Sequence, residues 1–167
     1  MNSKSKSPKR TASSKSDKAK SDFVKIRFPL DPKDDQGYET ETLWAEPLGN
    51  GRFRIVNVPF FVFGVSSDDI VHATRSREVY RFDEVVGRGG HSTYRIFLQD
   101  DRSIQHDEFR QYWDPISKLG STFENANDHF VAVDIPPGAD VSKTYKLLEK
   151  GEKKGIWAFE EGHYSGG

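Results

Sequence analysis

The sequence predicts an α+β protein in which a small β-barrel, SH3-like or similar, is followed by a ferredoxin-like βαββαβ unit. Three observations lead to this prediction. Short segments that alternate polar and apolar residues, separated by turn signals, occupy residues 23–86. Strand-like segments then alternate with two amphipathic helical segments over residues 87–163. The 12 Phe, 6 Tyr and 3 Trp provide enough aromatic bulk for a buried core.

Five strand-like segments make up the barrel half. The clearest connection between two of them is Asn50-Gly51, a pair that favours the positive φ angles of a tight hairpin turn. In the segment that follows this turn, Arg52 and Arg54 alternate with Phe53 and Ile55, as expected for a half-exposed strand. The five segments are FVKIRF, ETLWAEP, RFRIV, DDIVHAT and EVYRFDEVV.

The first helix of the second half is expected within HDEFRQYWDPISKLG, residues 106–120, where aromatic and aliphatic residues recur at helical spacing. Asp107 is the expected N-cap and Gly120 the stop signal. Pro115 is expected to kink or divide the helix, because proline removes one backbone hydrogen bond.

The second helix is expected within GADVSKTYKLLEKGEKKG, with Asp140 as its N-cap. Val141, Tyr145 and Leu148 are expected to face inward. The strands of this half are HSTYRIFLQ, two short strands around residues 125–128, and IWAFEEG. Residues 164–167 are expected to form a short tail.

The N-terminal 22 residues differ from the rest of the chain in composition. They contain seven Lys or Arg and two acidic residues, whereas residues 23–167 contain 18 basic and 24 acidic residues. Such a Ser/Lys-rich segment cannot bury enough apolar surface to fold, so it is expected to be disordered. A cationic arm of this kind can solubilise the protein, fold back on the acidic body or bind polyanions.

Composition excludes several classes of function. The chain has no cysteine, which excludes disulfide scaffolds and thiol chemistry and fits a cytoplasmic protein. Neither a secretory signal nor an apolar run of the ~20 residues that a membrane helix needs is present. The five histidines are scattered without metal-ligand spacing, so no metal or cofactor is expected.

The stretch NVPFFVFGVSSDDIV, residues 57–71, is the most apolar part of the chain. Continuous apolar runs usually cross a core, so its phenylalanines are expected to seal the barrel or the seam between the two halves. Two alternatives remain open. Phe61 and Phe63, if exposed, would form a docking patch for a partner, or the run could line a ligand pocket.

The segment VVGRGGHSTY, residues 85–94, is the most enzyme-like part of the chain. Arg88, Gly89 and Gly90 could form an anion-binding site, and His91 with Ser92 could supply a base and a nucleophile. The segment precedes a strand rather than opening a helix, and adjacent strand residues face opposite ways. A flexible connection is therefore the expected role, and Arg88 to His91 are the candidate residues for an anion or partner site.

Three stretches together resemble a bacterial family of unknown function, domain family 4265. They are TLWAEPLGNGRFRIVNVPFFVFGVSSDDIVHA, HSTYRIFL and VAVDIPPGADVSKTYKLLEKGEKKGIWAFEEGH, which lie within residues 40–163. The resemblance implies a small, cytoplasmic, stand-alone bacterial protein and suggests a loose association with the immunity proteins of polymorphic toxins. It implies no catalytic residues.

The leading hypothesis is a non-catalytic protein that binds a partner protein. Its most specific form is an immunity-type protein with an acidic surface that masks a basic partner. The alternative is weak, salt-sensitive binding of nucleic acid by the basic tail and the barrel arginines. A third hypothesis is an enzyme that acts through residues 87–92. The barrel arginines are Arg52, Arg54, Arg75, Arg77 and Arg81.

Overall fold

The structure, a computed structural model, describes residues 22–34, 37–99 and 101–166. These residues form a mixed α+β protein with two sheets of mainly antiparallel strands and two α-helices. Apart from Asp22, the predicted N-terminal tail lies outside the described residues. Neither of the two described helices combines the length and the apolar character needed to cross a membrane.

The first sheet contains five strands, each antiparallel to its neighbour in sequence. Its first and last strands also pair in parallel, at Ile26–Tyr80 and Arg27–Arg81, so the sheet closes into a barrel. The strands are β1 (Val24–Pro29), β2 (Thr40–Gly49), β3 (Arg52–Ile55), β4 (Ile70–Ser76) and β5 (Val79–Gly87), and a 3-10 turn, Pro32–Asp34, lies between the first two.

The predicted hairpin between β2 and β3 is confirmed. Asn50 and Gly51 have φ angles of 54° and 72°, the left-handed values that a two-residue turn of this kind requires. Alternate residues of the strands, such as Ile26, Leu43 and Ile55, are fully buried inside the barrel. The short alternating segments therefore form the strands that their periodicity predicts.

The second sheet has the strand order β7-β8-β6-β9, and every neighbouring pair is antiparallel. Both helices contact one face of this sheet, where Ile96, Val133, Leu148 and Trp157 belong to a single buried cluster. The elements of this half are β6 (Ser92–Phe97), α1 (Asp107–Ser117), β7 (Thr122–Asn127), β8 (Phe130–Ile135), α2 (Val141–Lys153) and β9 (Ala158–His163).

Helix α1 differs from the sequence prediction at two positions. Its N-cap is His106 rather than Asp107, which instead lies in the first turn, where a negative charge interacts favourably with the helix dipole. Pro115 does not divide the helix, because it lies in the last turn, close to the end at Ser117. Only two helical residues follow the proline, so there is no further turn for it to separate from the rest of the helix.

Helix α2 begins as predicted, with Asp140 Oδ1 accepting a hydrogen bond from the Lys143 N–H at 2.9 Å. The prediction that Tyr145 faces inward is wrong, since this side chain is 40% exposed. The buried residues of the helix are Thr144, Leu148 and Gly151. A Cβ atom on Gly151 would lie 2.3 Å from the Trp157 ring, so close packing against this tryptophan sets which stripe of the helix is buried.

Residues 56–69, hereafter the joining segment, cover the face of the second sheet that the helices leave free. Along β6, Tyr94 and Ile96 point to the helices, whereas Thr93 and Arg95 point to the joining segment. The segment also contributes Val62 and Val65 to the barrel core. It therefore packs between the barrel and the second sheet.

Candidate functional site

Asp69, at the end of the joining segment, is a fully buried carboxylate. Its Oδ2 accepts hydrogen bonds from Arg88 Nη1 at 2.8 Å and from the Ser66 N–H at 3.0 Å. Its Oδ1 accepts one from the Gly89 N–H at 2.9 Å. Arg88 and Gly89, two of the candidate residues for an anion or partner site, therefore donate to a carboxylate of the chain itself.

Both glycines of this loop have a backbone reason for their identity. A Cβ atom on Gly89 would lie 2.5 Å from the backbone carbonyl carbon of Asp68, so only glycine fits there without displacement. Gly90 has a φ of 83°, in the left-handed region that favours glycine. The approach of this loop to the joining segment thus accounts for Gly89, and the backbone conformation accounts for Gly90.

His91 lies between two aspartates and is only 12% exposed. Its Nδ1 is 2.8 Å from Asp134 Oδ1, and its Nε2 is 3.3 Å from Asp68 Oδ2. Burial raises the pKa of Asp134, while the hydrogen bond from His91 opposes that rise and the charge of Asp68 adds to it. An Asp–His pair can orient a general base, but here both ring nitrogens already face carboxylates.

Ser92 does not join His91 in a catalytic arrangement. It is fully buried, and its Oγ accepts a hydrogen bond from the Ser165 N–H at 2.9 Å.

His163, the last residue of β9, lies near Arg88. Burial lowers the pKa of His163, and the positive charge of Arg88 lowers it further, although Asp69 has the opposite effect.

The phenylalanines of the joining segment have different environments. Phe61 is half-buried, with its ring centroid 4.9 Å from Tyr38 and 5.6 Å from Phe130. Phe63 is 43% exposed, and the Arg95 guanidinium carbon lies 4.1 Å from its ring centroid. A cavity of about 250 Å³ runs between these two rings and the barrel residue Phe28.

Two buried charged residues that sequence reasoning did not single out hold the joining segment in place. Glu41 accepts hydrogen bonds from three successive backbone N–H groups, those of residues 60–62, at 2.7 to 2.9 Å. Arg95 donates to the Val62 carbonyl at 2.7 Å and to Glu160 at 3.0 Å. Arg95 has no sequence signal, whereas Glu41 could have been found, because it is a charged residue in phase with the inward-facing Leu43 and Ala45 of β2.

The outer face of the barrel has an exposed apolar patch. Trp44 on β2 is 45% exposed and Val56 is 39% exposed. The two residues are neighbours across the sheet, since the Val56 N–H donates to the Trp44 carbonyl at 3.0 Å. The Lys25 ammonium lies 4.6 Å from the Trp44 ring centroid. We refer to Trp44 and Val56 as the barrel patch.

Arginines gather at one end of the barrel, around the turn between β4 and β5. Arg27 and Arg81 are exposed cross-strand neighbours, and with Arg77 and Glu78 they line an open cavity of about 660 Å³. Arg75 lies beside this turn, where its Nε donates to the Arg77 carbonyl. We refer to Arg27, Arg77 and Arg81 as the arginine cluster.

The other two barrel arginines lie outside this cluster. Arg52 is exposed on β3, opposite His72. Arg54 pairs with Glu46 at 3.1 Å. Among the described residues, no three His, Asp or Glu side chains are grouped closely enough to hold a metal ion.

Comparison with known proteins gives a family and a fold. The family model described as a domain of unknown function, DUF4265, matches residues 41–159. No curated protein matches the chain. A solved structure described as a novel crystal structure of a hypothetical protein from Neisseria gonorrhoeae is similar, with a TM-score of 0.71 and 20% identity. The similarity covers 84% of this chain and 94% of that chain, and at this identity it shows the fold alone.

Proposed function

We propose that this chain, which belongs to the DUF4265 family, is a non-catalytic binding protein that recognises a partner protein through the barrel patch. The observation that carries the proposal is the exposure of Trp44 and Val56 side by side on a strand surface. Exposed apolar surface marks protein interaction sites, and tryptophan is the residue most enriched among those that dominate binding energy.

The charge of the folded part supports a basic partner. Residues 23–167 have six more acidic than basic residues, so a protein with a positive face would be attracted to this body over a long range. An immunity-type role, in which the chain covers the functional face of a basic toxin, is the specific form of the proposal. The expected location is the bacterial cytoplasm.

The fold assignment belongs to the same proposal. We infer that the closed five-stranded sheet is an SH3-like barrel and that the order β7-β8-β6-β9 is the ferredoxin-like order. Both architectures often serve as binding scaffolds, but fold alone does not define function. The exposed side chains, rather than the fold, support partner binding.

Catalysis through residues 87–92 has less support. Arg88, His91 and Ser92 all contact groups of the chain itself, so the segment lacks a nucleophile next to a base. A prediction of the enzyme hypothesis is that Arg88→Ala and His91→Ala would abolish a turnover reaction while the protein stays folded. The binding hypothesis predicts no such reaction.

The test is capture of a partner from a lysate of the native organism by three proteins. They are the wild type, the double variant Trp44→Ser/Val56→Ser, and the control Val86→Ser, which changes a 47% exposed valine on β5. The proposal expects the wild type and the control to capture the same protein and the double variant to lose it. Equal capture by all three would refute a role for the barrel patch.

A second candidate function, binding of nucleic acid, is favoured by the arginine cluster. Like charges on cross-strand neighbours repel each other, so the adjacency of Arg27 and Arg81 would be favoured by an anion bound beside them. Because β1 and β5 are parallel, the start of β1 lies at the same end of the barrel as this cluster. The basic residues 1–22 thus connect to the chain where the arginines gather.

This candidate is tested by binding to a fluorescent 30-nucleotide DNA at a series of salt concentrations. Arg27→Gln/Arg81→Gln and removal of residues 1–22 should each weaken binding and reduce its salt dependence. Arg110→Gln/Lys118→Gln, which removes two exposed positive charges from the α1 region, should have little effect. If both double variants lost the same amount of DNA affinity, the binding would depend on the net charge of the protein rather than on the arginine cluster.

A further inference from the structure

A cavity of about 410 Å³ lies between helix α2 and the edge of the second sheet, away from both the barrel patch and the joining segment. Three tyrosines line it, Tyr94 from β6, Tyr145 from α2 and Tyr164 just after β9. Its volume lies in the range of small-molecule sites, which is about 300–1,000 Å³.

Two of the three tyrosines that border the cavity are exposed, whereas Tyr94 is buried. Tyr145 and Tyr164 are 40% and 50% exposed, although each carries a large apolar ring. Tyr145 is held by edge contacts to Tyr94 and Phe159, with ring centroids 6.1 Å and 5.5 Å apart. The faces of such rings carry negative electrostatic potential, which attracts cations.

Two carboxylates, those of Glu149 and Glu161, also line the cavity. Glu161 has a fixed position, because its Oε2 accepts a hydrogen bond from the buried Tyr94 hydroxyl at 3.0 Å. Burial and the Glu161 carboxylate raise the pKa of Tyr94, so this hydroxyl keeps its proton and donates to Glu161 even in alkaline solution. Lys146 is the single cationic residue among those that line the cavity, so carboxylates outnumber cations there.

We propose that this tyrosine cavity binds a small organic ammonium ion, of the quaternary or methylated class. Weakly hydrated ammonium groups gain most from aromatic faces, since they lose little on leaving water. The carboxylate of Glu161 supplies the counter-charge, and the exposed rings of Tyr145 and Tyr164 supply the walls. This site is independent of the barrel patch, so it does not depend on the proposed partner protein.

The experiment is an NMR titration of the ¹⁵N-labelled full chain with choline and with 3,3-dimethyl-1-butanol, its uncharged carbon isostere. We expect choline to shift the amide signals of the residues that line the cavity and to bind about tenfold more tightly than the isostere. Equal affinities would contradict cation recognition. Absence of shifts at a choline concentration of tens of millimolar would exclude the site.

Four variants test the assigned roles. Tyr145→Ala and Glu161→Gln should each weaken choline binding at least about fivefold, because they remove a wall and the counter-charge. Lys146→Gln should tighten it, because a like charge is removed. Tyr38→Ala, which removes a 58% exposed tyrosine from the barrel half, is the control and should leave it unchanged. Weaker binding in the Lys146 variant, or unchanged binding in the Tyr145 variant, would overturn the proposal.

Discussion

Arg88, exposed at the end of the barrel, donates from a single nitrogen both to the buried carboxylate of Asp69 at 2.8 Å and to the Gly64 carbonyl at 2.7 Å. The contact joins the loop after β5 to the joining segment. It holds the adjacent ends of β4 and β5 to Gly64, whose own N–H donates to the Gly162 carbonyl of the second sheet, and its strength can be measured through the stability of the protein.

Arg88→Ala should lower the free energy of unfolding by about 2 kcal/mol, because it leaves the Asp69 carboxylate buried without its positive partner. Urea denaturation monitored by tryptophan fluorescence measures this loss. Arg110→Ala, an exposed arginine on α1, is the control and should change stability by less than about 0.5 kcal/mol. Equal small effects of the two substitutions would mean that the Arg88–Asp69 pair does not stabilise the seam.

Glu41→Ala should destabilise the protein by about 2–3 kcal/mol, because three consecutive N–H groups of the joining segment lose their acceptor. Amide hydrogen exchange should show the largest loss of protection at residues 60–62. The control is Glu46→Ala, which removes the partly exposed partner of Arg54 and should cost about 0.5 kcal/mol or less. Unchanged exchange at residues 60–62 would contradict the role given to Glu41.

His163 should titrate below its usual value of 6.5 in the wild type and closer to it in Arg88→Ala, because a positive neighbour is removed. NMR titration of the imidazole signals measures both pKa values, with Arg110→Ala as the control. A histidine whose folded pKa is depressed contributes stability that is present above pH 6.5 and is lost as pH falls through the folded pKa. His163→Gln removes this titrating group, so its free energy of unfolding should fall less steeply than that of the wild type as pH drops below 6.5.

Gly151→Ala should cost about 2–3 kcal/mol despite the higher helix propensity of alanine, because the new methyl group would lie 2.3 Å from Trp157. Thermal denaturation measures the effect. Lys150→Ala, the exposed preceding position, should be nearly neutral. If Gly151→Ala were as stable as the wild type, α2 would not pack on Trp157 as described.

Local features of this fold could be predicted from the sequence, since they depend on a few adjacent residues. The Asn50-Gly51 turn and the Asp140 cap are examples, because both follow from the preferences of single residues. The inward direction of Tyr145 was predicted wrongly. Helical spacing defined an apolar stripe, but contact between Gly151 and Trp157 determines which stripe is buried.

The seam between the two halves could not be predicted from local patterns. Two adjacent aspartates are typical of a turn, whereas the burial of Asp69 depends on Arg88 and Gly89, some 20 residues further along the chain. Arg95 lies on β6, where alternation does not indicate that both faces are covered. Glu41 lies in phase with the inward residues Leu43 and Ala45 of β2, but the donors to its carboxylate, the N–H groups of residues 60–62, are distant in sequence. The tyrosine cavity combines residues from three separate elements, so no segment of the sequence marks it.

The most direct test of partner recognition is the dissociation constant of the captured partner, measured by calorimetry with the wild type, Trp44→Ser and Val86→Ser. Recognition through the barrel patch predicts that Trp44→Ser binds at least about 30-fold more weakly, as expected for a tryptophan that dominates an interface, and that Val86→Ser binds like the wild type. An affinity of Trp44→Ser equal to that of the wild type would contradict recognition through the barrel patch.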